Sequence, residues 1–336
     1  MKTNDALRPF FEERRVLLAP MAGVSDTAFR TLCREQGADV TYTEMVSAKG
    51  LSYANEKTRR LLDLADGEDI VAVQLFGHEP DVMAREAAWI EGELGERLAY
   101  LDINMGCPAR KIVSKGDGSK LMTTPDLARE IIERVVDAVS VPVTCKFRRG
   151  YAVGEELAVP FAVMAERAGA AAVAVHGRYA MQYYSGSADW DTIAEVKRAV
   201  AIPVIGNGDV RSGDDALAMV KKTCCDAVMV ARGAEGNPWV FADVKAALAG
   251  SDRPKAPSWE DRLAMAHRHA DLLDRRGGKN IVRMRKHAMW YLAGLPHASV
   301  ARKEINSCQT LADFDRVLEA LRLAIEKGCE DHVRPV

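Results

Sequence analysis

The sequence predicts an α/β fold, a (β/α)8 TIM barrel followed by a small all-helical domain. Three observations predict it. Eight short β-branched runs alternate with amphipathic stretches from Val16 to about Gly250. The runs are mostly continuously apolar, as parallel strands buried on both faces require. Beyond a stretch rich in Gly, Pro and charge, the pattern turns helical to the end.

The strand candidates, in order, are Val16–Ala22, Val40–Val46, Ile70–Phe76, Tyr100–Asn104, Val141–Arg148, Ala171–His176, Ile202–Asn207 and Asp226–Ala231. Between them lie helical stretches such as Glu79–Leu94, Pro125–Ala138, Val159–Ala168, Trp190–Ala199 and Gly213–Lys221. A doubly wound sheet is the runner-up, but it should show a GxGxxG turn after its first strand. None is present, and the GDGS at Gly116–Ser119 follows a loop and lacks the Lys-Ser/Thr ending of a phosphate-binding loop. Leu248–Pro257 reads as a linker, so the expected division is a barrel at 1–248, a linker at 249–258 and a helical domain at 259–336. Four helices are expected there: Trp259–Arg275, Asn280–Ala293, Ala298–Ser307 and Leu311–Lys327. Thr310 is the expected N-cap of the last and Gly328 its stop.

Composition sets the outer bounds. An apolar fraction of 48% and a charged fraction of 28% over 336 residues exclude a disordered chain, a collagen-like repeat and a small disulfide scaffold. No apolar run approaches the roughly 18 residues of a membrane span. The opening MKTNDALRPFFEERR has acids and no apolar core, so no secretory signal is expected. Seven Cys without a CxxC pair argue against a metal site and for reduced thiols in a cytoplasm. A monomer is expected because no long apolar seam is left unassigned.

The net charge of −2 hides an asymmetry. From Pro254 onward there are 15 Lys+Arg against 11 Asp+Glu, and before it 31 against 37. Arg275 to Lys303 holds eight Lys or Arg and no acid. Such a stretch on a nearly neutral chain suggests a polyanion partner, although a solvated helix surface would look the same.

Barrels carry their functional residues at the C-terminal ends of strands. Those ends read polar here: Gln74, Asn104, Lys146, His176 and Arg178, Asn207 and Asp209, then Arg232. Such a set implies one shared polar ligand. Gly208 after the seventh strand and Arg232-Gly233 after the eighth suit a phosphate site built from backbone N–H groups and a guanidinium. Lys146 lies in an otherwise apolar strand, and an unpaired Lys is almost never buried. It should therefore point into the mouth. Gln74 can both donate and accept, which suits an amide-edged ring. Cys107, between Gly106 and Pro108 at a strand end, should face the mouth, where a thiol can give a proton or act as a nucleophile. Cys33, Cys145, Cys224, Cys225, Cys308 and Cys329 are expected to be packed as small apolar residues or to lie at the exposed tail.

These residues resemble a known family, the bacterial flavin-dependent tRNA-dihydrouridine synthases. The likeness runs through PMAGVSD (Pro20–Asp26), QLFG (Gln74–Gly77), NMGCP (Asn104–Pro108), GDGSKLM (Gly116–Met122) and CKFR (Cys145–Arg148). It continues in HGR (His176–Arg178), NGD (Asn207–Asp209) and ARGAEGNPW (Ala231–Trp239), covering the whole barrel in order. The resemblance implies an FMN-containing barrel that reduces particular uridines in tRNA, with NADPH reducing the flavin. It implies that Cys107 is the proton donor, that Pro20, Met21 and Ala22 lie along the flavin ring, and that Gln74 and Lys146 bond its polar edge. His176 would sit by the ring, with Asn207, Gly208, Asp209, Ala231 and Arg232 around the ribityl phosphate. The family usually has Gly where this chain has Ala231. The methyl is expected to crowd the phosphate loop, yet FMN should still bind because Gly233 follows.

The basic run then gains a purpose. Arg178 in the barrel, and Arg283, Arg285 and Lys286 in the tail, are expected to contact tRNA. Arg283, Lys286 and His287 fall on one helical face, opposite an apolar stripe of Ile281, Met284, Ala288 and Tyr291. Arg110, Lys111, Lys115 and Lys120 could assist near the mouth. Two other readings share the barrel: an FMN-dependent small-molecule reductase of the dihydroorotate or enoate type, and a tRNA-binding barrel without catalysis.

Overall fold

A computed structural model describes residues 7–65 and 67–333. The side chain of Cys329 lies outside the described residues. By its contacts the chain divides into two compact units. One comprises Met1–Gly233 and Val240–Asp252, the other Ala234–Trp239 and Arg253–Val336.

The first unit is a parallel barrel. Its strands are β1 (Val16–Leu18), β2 (Val40–Thr41), β3 (Val46–Ser47), β4 (Val71–Phe76), β5 (Leu98–Met105), β6 (Val143–Arg148), β7 (Ala172–His176), β8 (Val204–Asn207) and β9 (Ala227–Val230). All pair in parallel, in the order β2-β1-β9-β8-β7-β6-β5-β4-β3. The ninth strand is a correction to the expected eight, for the run Val40–Val46 is broken in two. Its first half pairs β1, its second pairs β4, and Tyr42 bridges Ala72 between them, which closes the barrel. At the break the Glu44 carboxylate turns to accept the Gly23 N–H at 2.5 Å, tying the second strand to the loop after the first.

The period of two along each strand sorts side chains into the barrel interior. Leu17, Ala19, Tyr42, Ala72, Tyr100, Ala172, Ala174, Ile205, Ala227 and Met229 form one apolar cluster there. The same faces, read toward the strand ends, become Met21, Gln74, Asn104, Lys146, His176, Asn207 and Ala231. A short helix, Arg8–Glu13, covers the opposite end. Phe10 and Phe11 meet the Tyr100 ring edge-on, with centroids 5.9 and 6.0 Å away.

The second unit is helical. Trp259–Arg275 opens with a capping box between Ser258 and Asp261. Asn280–Arg283 is a 3-10 turn rather than the start of an α-helix, following Gly277 and Gly278, both at positive φ. The α-helix runs only Met284–Tyr291. Ala298–Ile305 and Leu311–Val333 follow. Thr310 does cap the last helix, its Oγ1 accepting the Asp313 N–H at 3.2 Å. Gly328 does not stop it: the glycine keeps a helical backbone, which costs only about 1 kcal/mol against Ala. No described helix is long and apolar enough to cross a membrane.

Candidate active site

The loop after β1 is held from two sides. The Met21 N–H donates to Ser25 Oγ at 3.0 Å, and Glu44 holds Gly23. Pro20 and Met21 are half-buried and Ala22 is exposed. At the end of β4, Gln74 is buried and each end of its amide holds one partner, leaving one N–H and one lone pair over. Its Nε2 donates to Asp102 at 2.6 Å, and its Oε1 accepts from Asn104 Nδ2 at 2.7 Å.

Asn104 in turn shapes the turn that carries Cys107. Its Oδ1 accepts the Gly106 N–H at 3.2 Å and the Cys107 N–H at 2.9 Å. From behind, the Ser119 N–H donates to the Cys107 carbonyl at 3.0 Å. Gly118 makes this approach possible: it sits at φ +61°, and a Cβ there would stand 2.7 Å from that carbonyl. Cys107 is half-buried, and desolvation pushes its thiol above the ordinary range even though Arg148 and Lys146 pull it down. The thiol is therefore protonated at neutral pH.

Lys146 faces Asn104 across the β5–β6 pairing. Burial and Arg148 pull its ammonium below the usual Lys range, and Asp102 pushes it back. Two strand positions on, Arg148 is buried and braces two loops. Its Nε donates to the Gly106 carbonyl at 2.9 Å, and its Nη1 to the Tyr179 and Tyr183 carbonyls at 3.1 and 2.8 Å.

His176 is buried, and burial followed by Arg148, Lys146, Arg178 and Arg232 keeps it far below the ordinary imidazole range. It is neutral. Arginine can only donate, so the 3.4 Å contact from Arg178 Nη1 makes Nε2 the acceptor and leaves the proton on Nδ1. Gly208, at φ +120°, lies against this ring; a Cβ there would come within 2.8 Å of His176 Cδ2. Asn207 pairs with His176 in register and donates to the Met229 carbonyl at 2.8 Å. The Asp209 carboxylate collects Arg178 at 2.7 Å, the Ala188 N–H at 2.7 Å and Arg232 at 3.3 Å. Arg232 also lies over the Tyr184 ring, 4.4 Å from its centroid. The methyl of Ala231 packs on the interior cluster.

Several expectations change here. Arg178 is 1% exposed and spent on Asp209 and on the Ser185 and Gly186 carbonyls, so it cannot meet an RNA phosphate. Arg285 donates to the Cys308 carbonyl at 2.8 Å and is partly buried, which makes it a brace within the helical unit. His287 is fully buried against His269, not displayed beside Lys286. Lys286 is exposed and lies over Trp290, while Arg283 is half-buried. Cys224 is exposed, because it ends the helix Gly213–Thr223 in a left-handed conformation.

The sequence reading also passed over Asp102, Arg148 and Tyr184. A signal existed for the first. Asp102 interrupts the apolar run LAYLDINM, and the reasoning that singled out Lys146 applies equally to it. The polar ends of Arg148 and Tyr184 are placed by tertiary contacts alone.

The mouth fits a flavin. Lys146, Arg148, Arg178 and Arg232 outnumber Asp102 and Asp209, so an anionic group is wanted. Lys146 has no hydrogen-bond or ion-pair partner among the described residues, an unusual state for a half-buried ammonium. Among the described residues no cluster of His, Cys, Asp or Glu could hold a metal ion. A parallel barrel with this mouth defines an enzyme that takes an anionic, phosphate-bearing ligand at its strand ends.

Comparison with known proteins narrows the class. The family model for dihydrouridine synthase matches residues 17–327. The chain is 42% identical over 304 residues to a protein named tRNA-dihydrouridine synthase B from Pseudomonas aeruginosa, covering 90% of each. It is 39% identical over 320 residues to a probable tRNA-dihydrouridine synthase from Mycobacterium tuberculosis, covering 91% of this chain and 82% of that one. The chain belongs to the dihydrouridine synthase family, whose known activity is the FMN-dependent reduction of uridines. Among solved structures, the histamine dehydrogenase of Rhizobium sp. 4-9 shares the barrel fold at a TM-score of 0.50 and 13% identity. The likeness covers 77% of this chain but only 49% of that one.

Proposed function

We propose that this chain reduces specific uridines of tRNA to dihydrouridine, with FMN held at the barrel mouth and NADPH as reductant. The observation that carries this reading is Cys107: a thiol kept protonated by burial, on a pinned turn, one strand from an unpartnered Lys146.

In this reading Pro20, Met21 and Ala22 line the ring, and Gln74 and Lys146 meet its polar edge. His176 offers its Nδ1–H beside it. Asn207, Gly208, Asp209, Ala231 and Arg232 enclose the ribityl phosphate. Asp209 contributes by orienting Arg232, since a carboxylate would repel a phosphate at close range. The methyl of Ala231 is used in packing, so FMN binding is expected to survive it.

The bound flavin, once reduced, supplies two electrons and the hydrogen that goes to carbon 6 of the uracil. Cys107 gives its Sγ proton to carbon 5, and the double bond becomes single. Burial holds that proton until it is needed, and Arg148 and Lys146 steady the thiolate left behind. Water returns the proton. The uridine must leave its stack to reach the mouth. The exposed Tyr183 and Tyr184 in the loop after β7 offer rings on which an RNA base can stack.

The barrel at 1–248 would carry the chemistry and the helical region at 259–336 the tRNA, joined by 249–258, in a cytoplasmic monomer. Lys286, Arg302 and Lys303 are exposed there and suited to phosphates, as are Arg110, Lys111, Lys115 and Lys120 beside Cys107. The test is mass spectrometry of unmodified tRNA after incubation with the protein and NADPH. A gain of two hydrogens on a uridine is expected. No gain from protein that is yellow with flavin would overturn the tRNA reading in favour of a small-molecule reductase.

A further inference from the structure

Asp102 has no part in the chemistry above, yet it is a fully buried carboxylate in the middle of β5. Two hydrogen bonds hold it. Thr144 Oγ1 donates to one oxygen and Gln74 Nε2 to the other, both at 2.6 Å. An ionised carboxylate can only accept, so it decides which end of the Gln74 amide turns toward it. With Nε2 taken, Gln74 Oε1 is left to accept from Asn104 Nδ2. That bond fixes the Asn104 amide in turn, whose Oδ1 accepts the N–H groups of Gly106 and Cys107. Every donor in the series points toward Asp102. Reversing the Gln74 amide would set its oxygen against the carboxylate and leave Asn104 without its acceptor.

We infer that Asp102 is a positioning residue: through Gln74 and Asn104 it fixes the turn that presents the Cys107 thiol. The inference rests on the reading of Cys107 as proton donor. Hydrogen bonds aligned in one direction reinforce one another in a low-dielectric interior, so the whole series should loosen when its terminal acceptor is removed.

Asp102→Ala tests this, with Cys107 alkylation by iodoacetamide followed by peptide mass spectrometry. Alkylation of Cys107 should rise about threefold or more as the turn opens locally, with buried Cys33 unchanged. Oxidation of the pre-reduced enzyme by tRNA should slow roughly tenfold or more, because small misplacements of a reacting group are costly. Flavin reduction by NADPH, which does not use the thiol and feels only the loosened Gln74, should slow far less. Asp102→Asn keeps an oxygen for Gln74 and turns its amide to the Thr144 hydroxyl, so it should restore most of both effects. Unchanged Cys107 alkylation in the Ala variant would overturn the inference. So would a parallel rise at Cys33, or equal slowing of both half-reactions, since either marks a general loss of structure. Should the Ala variant not fold, Asn104→Ala cuts the same series at its last link. It must show the same rise at Cys107, and no rise would overturn the inference. If the wild type makes no dihydrouridine, the function fails while the alkylation result still judges the hydrogen-bond series.

Discussion

The barrel mouth and the helical unit each bury a neutral histidine, but the cations around the two are handled differently. At His176 the two most buried are themselves anchored: Arg148 is bound to three carbonyls, and Arg178 to Asp209 and two more. At His287 the ring lies tilted against His269 with centroids 4.2 Å apart, and the neighbouring Lys286 stays in solvent over Trp290. Burying a cation is unfavourable unless surrounding bonds offset the lost hydration. The mouth buries its cations because a small ligand must be met at fixed points. A polyanion's phosphates need only reachable charge, and cations such as Lys286, Arg302 and Lys303 are kept exposed on the helical surface.

The sharpest way to break this contrast is Cys107→Ala. Loss of a positioned proton donor should lower dihydrouridine formation by about 10²–10⁴-fold while the flavin absorbance stays. A variant close to wild type in a single-turnover assay would remove Cys107 from the chemistry. Next in size is Arg178→Ala, which strips Asp209 of its nearest cation and orphans two carbonyls. Thermal denaturation should report a loss of about 3 kcal/mol. A negligible change would show that the mouth cations are not anchored.

A smaller effect is expected from Lys286→Ala combined with Arg302→Ala and Lys303→Ala. The KM for tRNA should rise several-fold with kcat held. The salt slope of binding should fall by about one for each phosphate that is no longer neutralised. An unaltered slope would place the RNA elsewhere.

The smallest concerns acid. His287 has its folded pKa driven down by burial, then by His269, Lys286 and Arg283. A depressed base stabilises the fold above its unfolded pKa, near 6.5, and that stability is lost as pH falls below it. The loss is limited to about 1.4 kcal/mol per pH unit for one proton. His287→Phe should flatten the fall in melting temperature below that pH, and an unchanged profile would mean that His287 does not govern it.

Much of the fold was legible because parallel strands announce themselves as apolar runs. Pro125–Ala138, Trp190–Ala199 and Trp259–Arg275 coincide with the expected helices to the residue. The break in the second strand was hidden, because Thr43 and Glu44 look like ordinary strand-end residues until Gly23 arrives from another part of the chain. In the site, residue types pointed to the mouth but not to their partners. Arg178 and Arg285 read as basic and therefore as surface, yet Asp209 and two carbonyls satisfy Arg178 in the interior, and the Cys308 carbonyl draws Arg285 partly inward. His287 was grouped with Lys286, but within the helix it lies three residues after Met284 and four before Tyr291, so ordinary helical spacing puts it on the buried stripe.

The short helix Arg8–Glu13 has a consequence of its own. By seating Phe10 and Phe11 on Tyr100 it extends the packed interior to the far end of the barrel, so the mouth is the one end left to ligands. Whatever reaches the buried centre must leave the way it came.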